Sequence, residues 1–367
     1  MPGFTRLASL PSTQPMRRHR LLLLSAALLL TACASTVAPP SDQATAAQAK
    51  PTYIPPPVPV EERVLRSVVS LQDRLYRVAA PLLISNTQLC KNNARNLLGF
   101  TAKNKYSYSP EFVNAAQNAL QLNERLQVMG VLTGSGAARA GLQHGDKLIA
   151  VESKPMPAGE NAERQASALL APLVTGRTSV KLTVERSGSE NALIVPLTYA
   201  CAFGLELGNT GNVTAYADGH RVLITHGMMN FAQSDEELAY VIAKEMAHNA
   251  LSHAARLRVS ATIGGIIDNL TRVRPDMSAM AGLGGVKPMP RDLDAMADKL
   301  SLYMLARAGY NIDQVVPFWQ RMASQYPATV LTAYTALHPA TAYRVTIMQK
   351  TVADIKAKQA AKKPLLP

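Results

Sequence analysis

The residues of this sequence best placed to do chemistry are Lys244-Glu245-Met246-Ala247-His248. On a helix, a carboxylate and an imidazole three residues apart share one face. Where such a helix reads H-E-x-x-H, two imidazoles at i and i+4 point at one zinc ion, and the glutamate activates a water. Here Glu245 and His248 stand in place, but the first position is Lys244. A lysine ammonium has no lone pair to offer a metal. Deprotonating an ordinary lysine at pH 7 costs roughly 4.6 kcal/mol. A structural zinc site gains roughly 10–16 kcal/mol. Two states of Lys244 therefore stay open, a neutral ligand and a charged occupant of the cation's place.

These residues need a helix and a strand to position them. In "SDEELAYVIAKEMAHNALSHAARL", Ser234 and Glu237 have the spacing of a capping box. Leu238, Val241, Ile242, Met246 and Leu251 then form a core-facing stripe. The preceding "VTAYADGHRVLITHGMM" reads as a hairpin: a strand to Ala217, a turn at Asp218-Gly219, then a strand carrying Val222 and Ile224. Residues 221–226 are expected to form an edge strand along the cleft. His226 beside it is a candidate replacement ligand, His220 is a solvated turn residue, and His253 is assigned a structural role on another helix face. A further helix is expected over 292–308, stopped by Gly309. Phe318 and Trp319 follow on a core helix. The Gly-, Ala- and Met-rich stretch 258–289 reads as a short helix and a mobile loop.

Four stretches occur in order: "LITHGMM", "DEELAYVIAKEMAH", "DAMADKLSLYMLARAGYN" and "LHPATAYR". Together they resemble the prenyl-protease and HtpX-like family of gluzincin metallopeptidases over most of residues 205–350. That resemblance implies a zinc endopeptidase with Glu245 as general base and His248 as a metal ligand. The family's third ligand is a glutamate four residues before an aspartate. Here Asp294 takes that position, one methylene shorter, and Asp298 matches the aspartate that supports the ligands. His338 matches a loop histidine that covers the metal in some relatives, so it is a possible extra ligand. If Lys244 stays charged, it is expected to pair with Glu245, Asp294 or both.

The middle of the chain has its own signature. Residues 61–85 carry Val64, Leu65, Val68, Leu71, Leu75 and Val78 at helical spacing. A second helix is expected in "SPEFVNAAQNALQLNERL", opened by Ser109 and Pro110. Next come a strand, a Gly-rich turn, a short helix over 137–140, a turn at Gly145-Asp146 and another strand. A helix over about 160–172 and strands at 179–186 and 191–199 complete the module. Gly136, Ala138, Ala140, Gly141, Leu142, Gly145 and Asp146 resemble the PDZ domain of bacterial proteases. Leu97, Leu98, Gly99 and Phe100 resemble its carboxylate-binding loop, which implies capture of extended peptide ends by strand addition. A helical segment separates this loop from the Gly-rich turn, so a purely structural role stays open.

The chain opens with basic residues, an apolar run over 21–30 too short to span a bilayer, and Leu30-Thr31-Ala32-Cys33. This reads as a lipoprotein signal peptide, with Cys33 lipidated and the protein held on the periplasmic side of a bacterial membrane. Ala34 after the cysteine favours the outer membrane by analogy with bacterial lipoproteins. An oxidising compartment favours a Cys90–Cys201 disulfide; two buried thiols are the alternative. With all three cysteines so explained, no nucleophilic serine or cysteine stands out. The expected organisation is signal peptide 1–32, Pro-rich tether 33–60, amphipathic helix 61–90, PDZ-like domain 91–201, metallopeptidase-like domain 205–350 and basic tail 351–367. The fold class is α+β: a PDZ-like, partly open β-barrel module, then a mainly helical zincin-like domain with a small edge sheet.

The net charge is +13, of which the four arginines before residue 33 carry four, leaving +9 without them. No nucleic-acid fold accompanies that charge. Expected partners are the membrane, through the anchor, and envelope polypeptides or C-terminal peptides, through the PDZ-like module. Zinc is the cofactor in question. Three functions follow: a metalloendopeptidase acting on misfolded or unassembled envelope proteins, an inactive pseudopeptidase that binds polypeptide, or a structural lipoprotein.

Overall fold

The computed structural model describes residues 57–257 and 288–367. Pro56–Pro367 form one compact unit. Helix α1 (Val60–Ser85) begins with Glu61 and Glu62 in its first turn, where the helix dipole favours acids. Its C-terminal half, including Leu75, Val78, Leu82 and Leu83, lies in the same apolar core as the peptidase-like region. Each fully buried leucine contributes about 2 kcal/mol. Polar contacts fix the docking. Arg74 donates to the carbonyls of Met229, Ala232 and Ser234 and pairs with Asp235. Asn86 Nδ2 donates to the carbonyls of Leu82 and Met304.

Strands β1 (Ala94–Leu97), β2 (Phe100–Lys103), β3 (Gln127–Val131), β4 (Lys147–Val151), β5 (Lys154–Pro155), β6 (Ser179–Arg186), β7 (Ser189–Pro196) and β8 (Thr198–Cys201) belong to the middle module. The main sheet runs β2-β3-β4-β6-β7, with β5 paired to β4. This sheet is open and does not close into a barrel, where a partly open barrel was expected. After Leu197 the chain leaves β7, and β8 pairs instead with β1 in a separate two-stranded sheet. Ser187 and Gly188, both at positive φ, make the β6–β7 turn, so β7 starts at Ser189, ahead of the expected 191.

Helix α2 (Val113–Leu120) ends at Gln121 in the left-handed conformation and packs on α1 through Leu65, Phe112 and Ala116. Helix α3 (Gly136–Arg139) is capped by Ser135, whose side chain accepts from the Ala138 amide. A side chain at Gly136 would meet the Pro196 carbonyl at 1.7 Å, so this close approach of backbones requires glycine. Helix α4 (Ala162–Leu170) covers the sheet. A Cys90–Cys201 disulfide joins the module's two ends across 111 residues.

Strands β9 (Gly204–Gly208), β10 (Ala215–Ala217) and β11 (Arg221–Thr225) form a three-stranded sheet in the order β10-β11-β9. The expected edge strand, 221–226, is therefore the central strand. The hairpin with β10 was local and readable, but β9 also pairs with β11, in parallel, from the other side. The edge beside the candidate site is β10.

Helix α5 (His226–Phe231) leads to α6 (Asp235–Ala250), α7 (His253–Leu257), α8 (Arg291–Arg307), α9 (Val315–Gln325), α10 (Tyr334–Leu337) and α11 (Ala342–Ala360). Helix α6 is buried on every side from Leu238 to Ala250, as befits the central helix of a domain. Ser234 caps it by accepting from the Glu237 amide. The Glu237 carboxylate reaches back to the Gln233 amide and takes a two-pronged contact from Arg321, rather than closing a box on Ser234.

Candidate functional site

Helix α6 presents Lys244, Glu245 and His248 inward, α8 contributes Asp294 and Asp298, and His338 follows α10. All six are almost completely buried. Lys244 Nζ lies 2.9 Å from Asp294 Oδ1 and 2.9 Å from Asp298 Oδ1. Neither contact is aligned as a hydrogen bond, so charge attraction is what holds them. The ammonium also lies 5.1 Å from the centre of the Trp319 ring. Arg344 closes the group. Its guanidinium donates to Asp298 through Nε at 2.6 Å and Nη2 at 2.9 Å. Its Nη1 lies 3.1 Å from Asp294 Oδ2 and donates to the carbonyls of His338 and Pro339. Two cations thus balance two carboxylates. Lys244 pairs with Asp294 and Asp298; Glu245, the other partner considered for it, instead accepts a 2.6 Å hydrogen bond from the Tyr334 hydroxyl.

The electrostatics follow from this arrangement. Burial alone would raise the carboxyl of Asp294, but Lys244, His338 and Arg344 outweigh it and hold it well below the usual carboxylate range. Asp298 is lowered in the same way: burial raises it, and Lys244 and Arg344 prevail. Burial works against the charge on Arg344, yet the two aspartates raise it above its ordinary value. Burial pushes the His338 ring down, against the pull of Asp294. Burial and then Glu245 push the Tyr334 hydroxyl well up.

A small cavity of about 50 Å3 adjoins this group, lined by Tyr216, Glu245, His248, His253 and His338 among others. His338 Nδ1 lies 2.9 Å from Asp294 Oδ1. His248 Nδ1 lies 2.9 Å from His253 Nδ1. Sequence spacing placed His253 on another face. After α6, however, Ser252 turns the chain at positive φ and brings His253 back against His248. Tyr334 stacks between Trp319 and His338. Trp319, expected only to fill core, thus borders the site. Trp319, Tyr334 and Arg344 were not among the candidate site residues, although Arg344 ends the "LHPATAYR" stretch. His226 opens α5 outside the cluster and His220 is exposed.

A zinc ion held in the family manner would need lone pairs from positions 244, 248 and 294. Lys244 supplies an ammonium there. Asp294 already faces Lys244 and His338 on one oxygen and Arg344 on the other. The residues present do not fit that ligand set.

The second candidate site is a groove of about 610 Å3 in the middle module. Leu97, Leu98, Gly99 and Phe100 line it, facing Leu170 of α4 and Leu205 of β9. Strand β2 is an edge strand, so one row of its backbone groups is unpaired in the sheet. Gly99 has φ +81° and packs on Ser135. Cys33 and residues 258–287 lie outside the described residues. Among the described residues, no helix is long and apolar enough to cross a membrane.

Residues 203–352 match the family model of Peptidase family M48 and constitute an M48 family domain. A protein of Vibrio cholerae serotype O1 described as a putative beta-barrel assembly-enhancing protease is 30% identical over 131 residues, 31% of this chain and 27% of that protein. The mitochondrial metalloendopeptidase OMA1 of Schizosaccharomyces pombe is 22% identical over 147 residues, 38% of this chain and 44% of that protein. The chain thus matches less than half the length of either relative. A crystal structure of the HtrA3 PDZ domain bound to a phage-derived ligand aligns with 29% of this chain and 88% of that one, at 18% identity and a TM-score of 0.22.

Proposed function

We propose that this protein is a pseudopeptidase of the bacterial cell envelope. It binds extended polypeptide without cleaving it, and it is anchored through Cys33 on the periplasmic side of the outer membrane. The observation that carries this reading is Lys244 Nζ between Asp294 and Asp298. A charged ammonium occupies the place of the metal, so the activated water that peptide hydrolysis requires is not generated there. The groove at Leu97–Phe100 supports polypeptide binding, because an open strand edge accepts an added strand and apolar walls accept its side chains. The clients are envelope polypeptides or their C-terminal ends, and the output is chaperoning, scaffolding or regulation of an active protease.

The direct test compares wild type with Glu245→Gln on unfolded outer-membrane polypeptide, measuring both cleavage and binding. Equal background cleavage with equal binding is the expected result. Cleavage lost in Glu245→Gln would overturn the reading. It would establish the other one, a metalloendopeptidase acting on misfolded or unassembled envelope proteins, which the protease descriptions of the relatives favour.

A further inference from the structure

The Lys244–Asp294–Asp298–Arg344 group is neutral in itself; Glu245 stands outside it, while the rings of His338 and His248 touch it through Asp294 Oδ1. The ligand atoms of Glu245, His248 and His338 lie within 4.8 Å of one another around the small cavity. We propose that this chain binds a divalent transition-metal ion of the zinc class at Glu245, His248 and His338, a set that keeps His248 but takes Glu245 and His338 in place of positions 244 and 294.

Four observations converge on it. First, Glu-x-x-His at i and i+3 is a metal-ligand spacing in its own right, because both side chains leave the helix on one face. Secondly, the two imidazoles are oriented for it. An ionised carboxylate only accepts, so the Asp294 contact places the proton of His338 on Nδ1 and leaves Nε2 with a lone pair. The 2.9 Å contact between His248 and His253 involves both Nδ1 atoms. Asp294 Oδ1 and His253 Nδ1 both compete for the His248 proton; a metal at Nε2 requires that proton on Nδ1, donated to His253. His248 Nε2 is buried without an aligned hydrogen bond; Asp294 Oδ1 is 3.4 Å away. Metal-bound histidines are held in this way, the far nitrogen donating to a second group. Asp294 and His253 are then positioning residues.

Thirdly, among the described residues no salt bridge reaches Glu245, whose Oε1 accepts from Tyr334. A buried carboxylate is costly without a cation, and a dication supplies one. Fourthly, the cavity of about 50 Å3 has room for an ion and a water. In a tetrahedral zinc site the donors sit roughly 3.4 Å apart, so each closes inward by about an ångström on binding. The shorter Asp294 fits the same picture. The family's glutamate would reach into the metal; this aspartate stops at Lys244 and His338. Glu245 becomes a ligand, so the site holds a metal without freeing a base. This inference goes beyond the polypeptide-binding reading, and its readout is metal binding alone.

The test is titration of the full chain with zinc and cobalt(II). One ion per chain is expected. His338→Ala and Glu245→Gln should each weaken binding by about 100-fold, and His253→Ala by about 10-fold. Circular dichroism checks that each variant is folded. His338→Cys gives a gain of signal: a thiolate on cobalt(II) adds a charge-transfer band in the near ultraviolet. Absence of that band in a folded His338→Cys protein overturns the proposal. So does binding that His338→Ala and Glu245→Gln leave unchanged, or no binding at micromolar metal.

Discussion

The groove of the middle module and the cavity beneath β10 are built on opposite plans. The groove is large, largely apolar and bordered by open backbone. The cavity is small and polar, and its wall is tied into a closed set of buried charges. A surface of the first kind tolerates substitution gradually, because each apolar contact is a modest, separable contribution. The second kind tolerates little, because removing one charge strands its partners away from water. Two aspartates buried side by side need cations beside them, and Lys244 and Arg344 supply them.

The sharpest way to break the comparison is Lys244→Ala. It leaves Asp294 and Asp298 with Arg344 alone, and should cost about 3–5 kcal/mol in denaturant unfolding. A smaller cost would mean that water already enters the cluster. Next comes acid. The folded carboxyls of Asp294 and Asp298 lie below their ordinary value of 3.8. Their contribution to stability is therefore complete above that value and is lost as pH falls through the lower folded values. His338 is also held below its ordinary 6.5, so it too costs stability as pH falls below 6.5. Unfolding free energy should decline in two stages between neutral pH and pH 2. In Lys244→Ala the lower stage should shift to higher pH.

Arg74→Ala should lose about 1.5–3 kcal/mol, since one guanidinium joins α1 to Asp235 and three carbonyls. In the groove, Leu170→Asp should reduce peptide affinity about tenfold, read by fluorescence anisotropy, with unfolding of the peptidase core unchanged. If it also destabilises that core, the two regions are not energetically separate. The smallest effect is expected at Ser234→Ala, about 1 kcal/mol for a lost helix cap.

Much of this was written locally in the sequence. Helix α1 spans Val60–Ser85 against the 61–85 expected from periodicity, and α8 spans Arg291–Arg307 against an expected 292–308. Gly309, at φ +83°, stops α8 as its type suggests. What could not be read was non-local. The hairpin at Asp218-Gly219 said nothing about a parallel partner on its far side, so the order of the three strands was missed. Nor could alternation along 179–199 show that the chain abandons one sheet for another at Leu197. In the site, Glu245, His248, Asp294 and Asp298 came from motif and resemblance. Arg344 and Tyr334 earn their positions from contacts 46 and 89 residues away in sequence, and no spacing rule spans that separation.

The disulfide at Cys90–Cys201 has a mechanical consequence. The strands it adjoins, β1 and β8, form a two-stranded neck between the module and the rest of the chain. Tension applied to the module's ends is carried by that neck together with the packing of α2 on α1. With the bond intact, the two ends share the load as a single covalent point, and the neck cannot be unzipped. Reduced, the same load would peel β1 from β8 one pair at a time. The bond thus keeps the module's two ends together while α2 stays packed on α1.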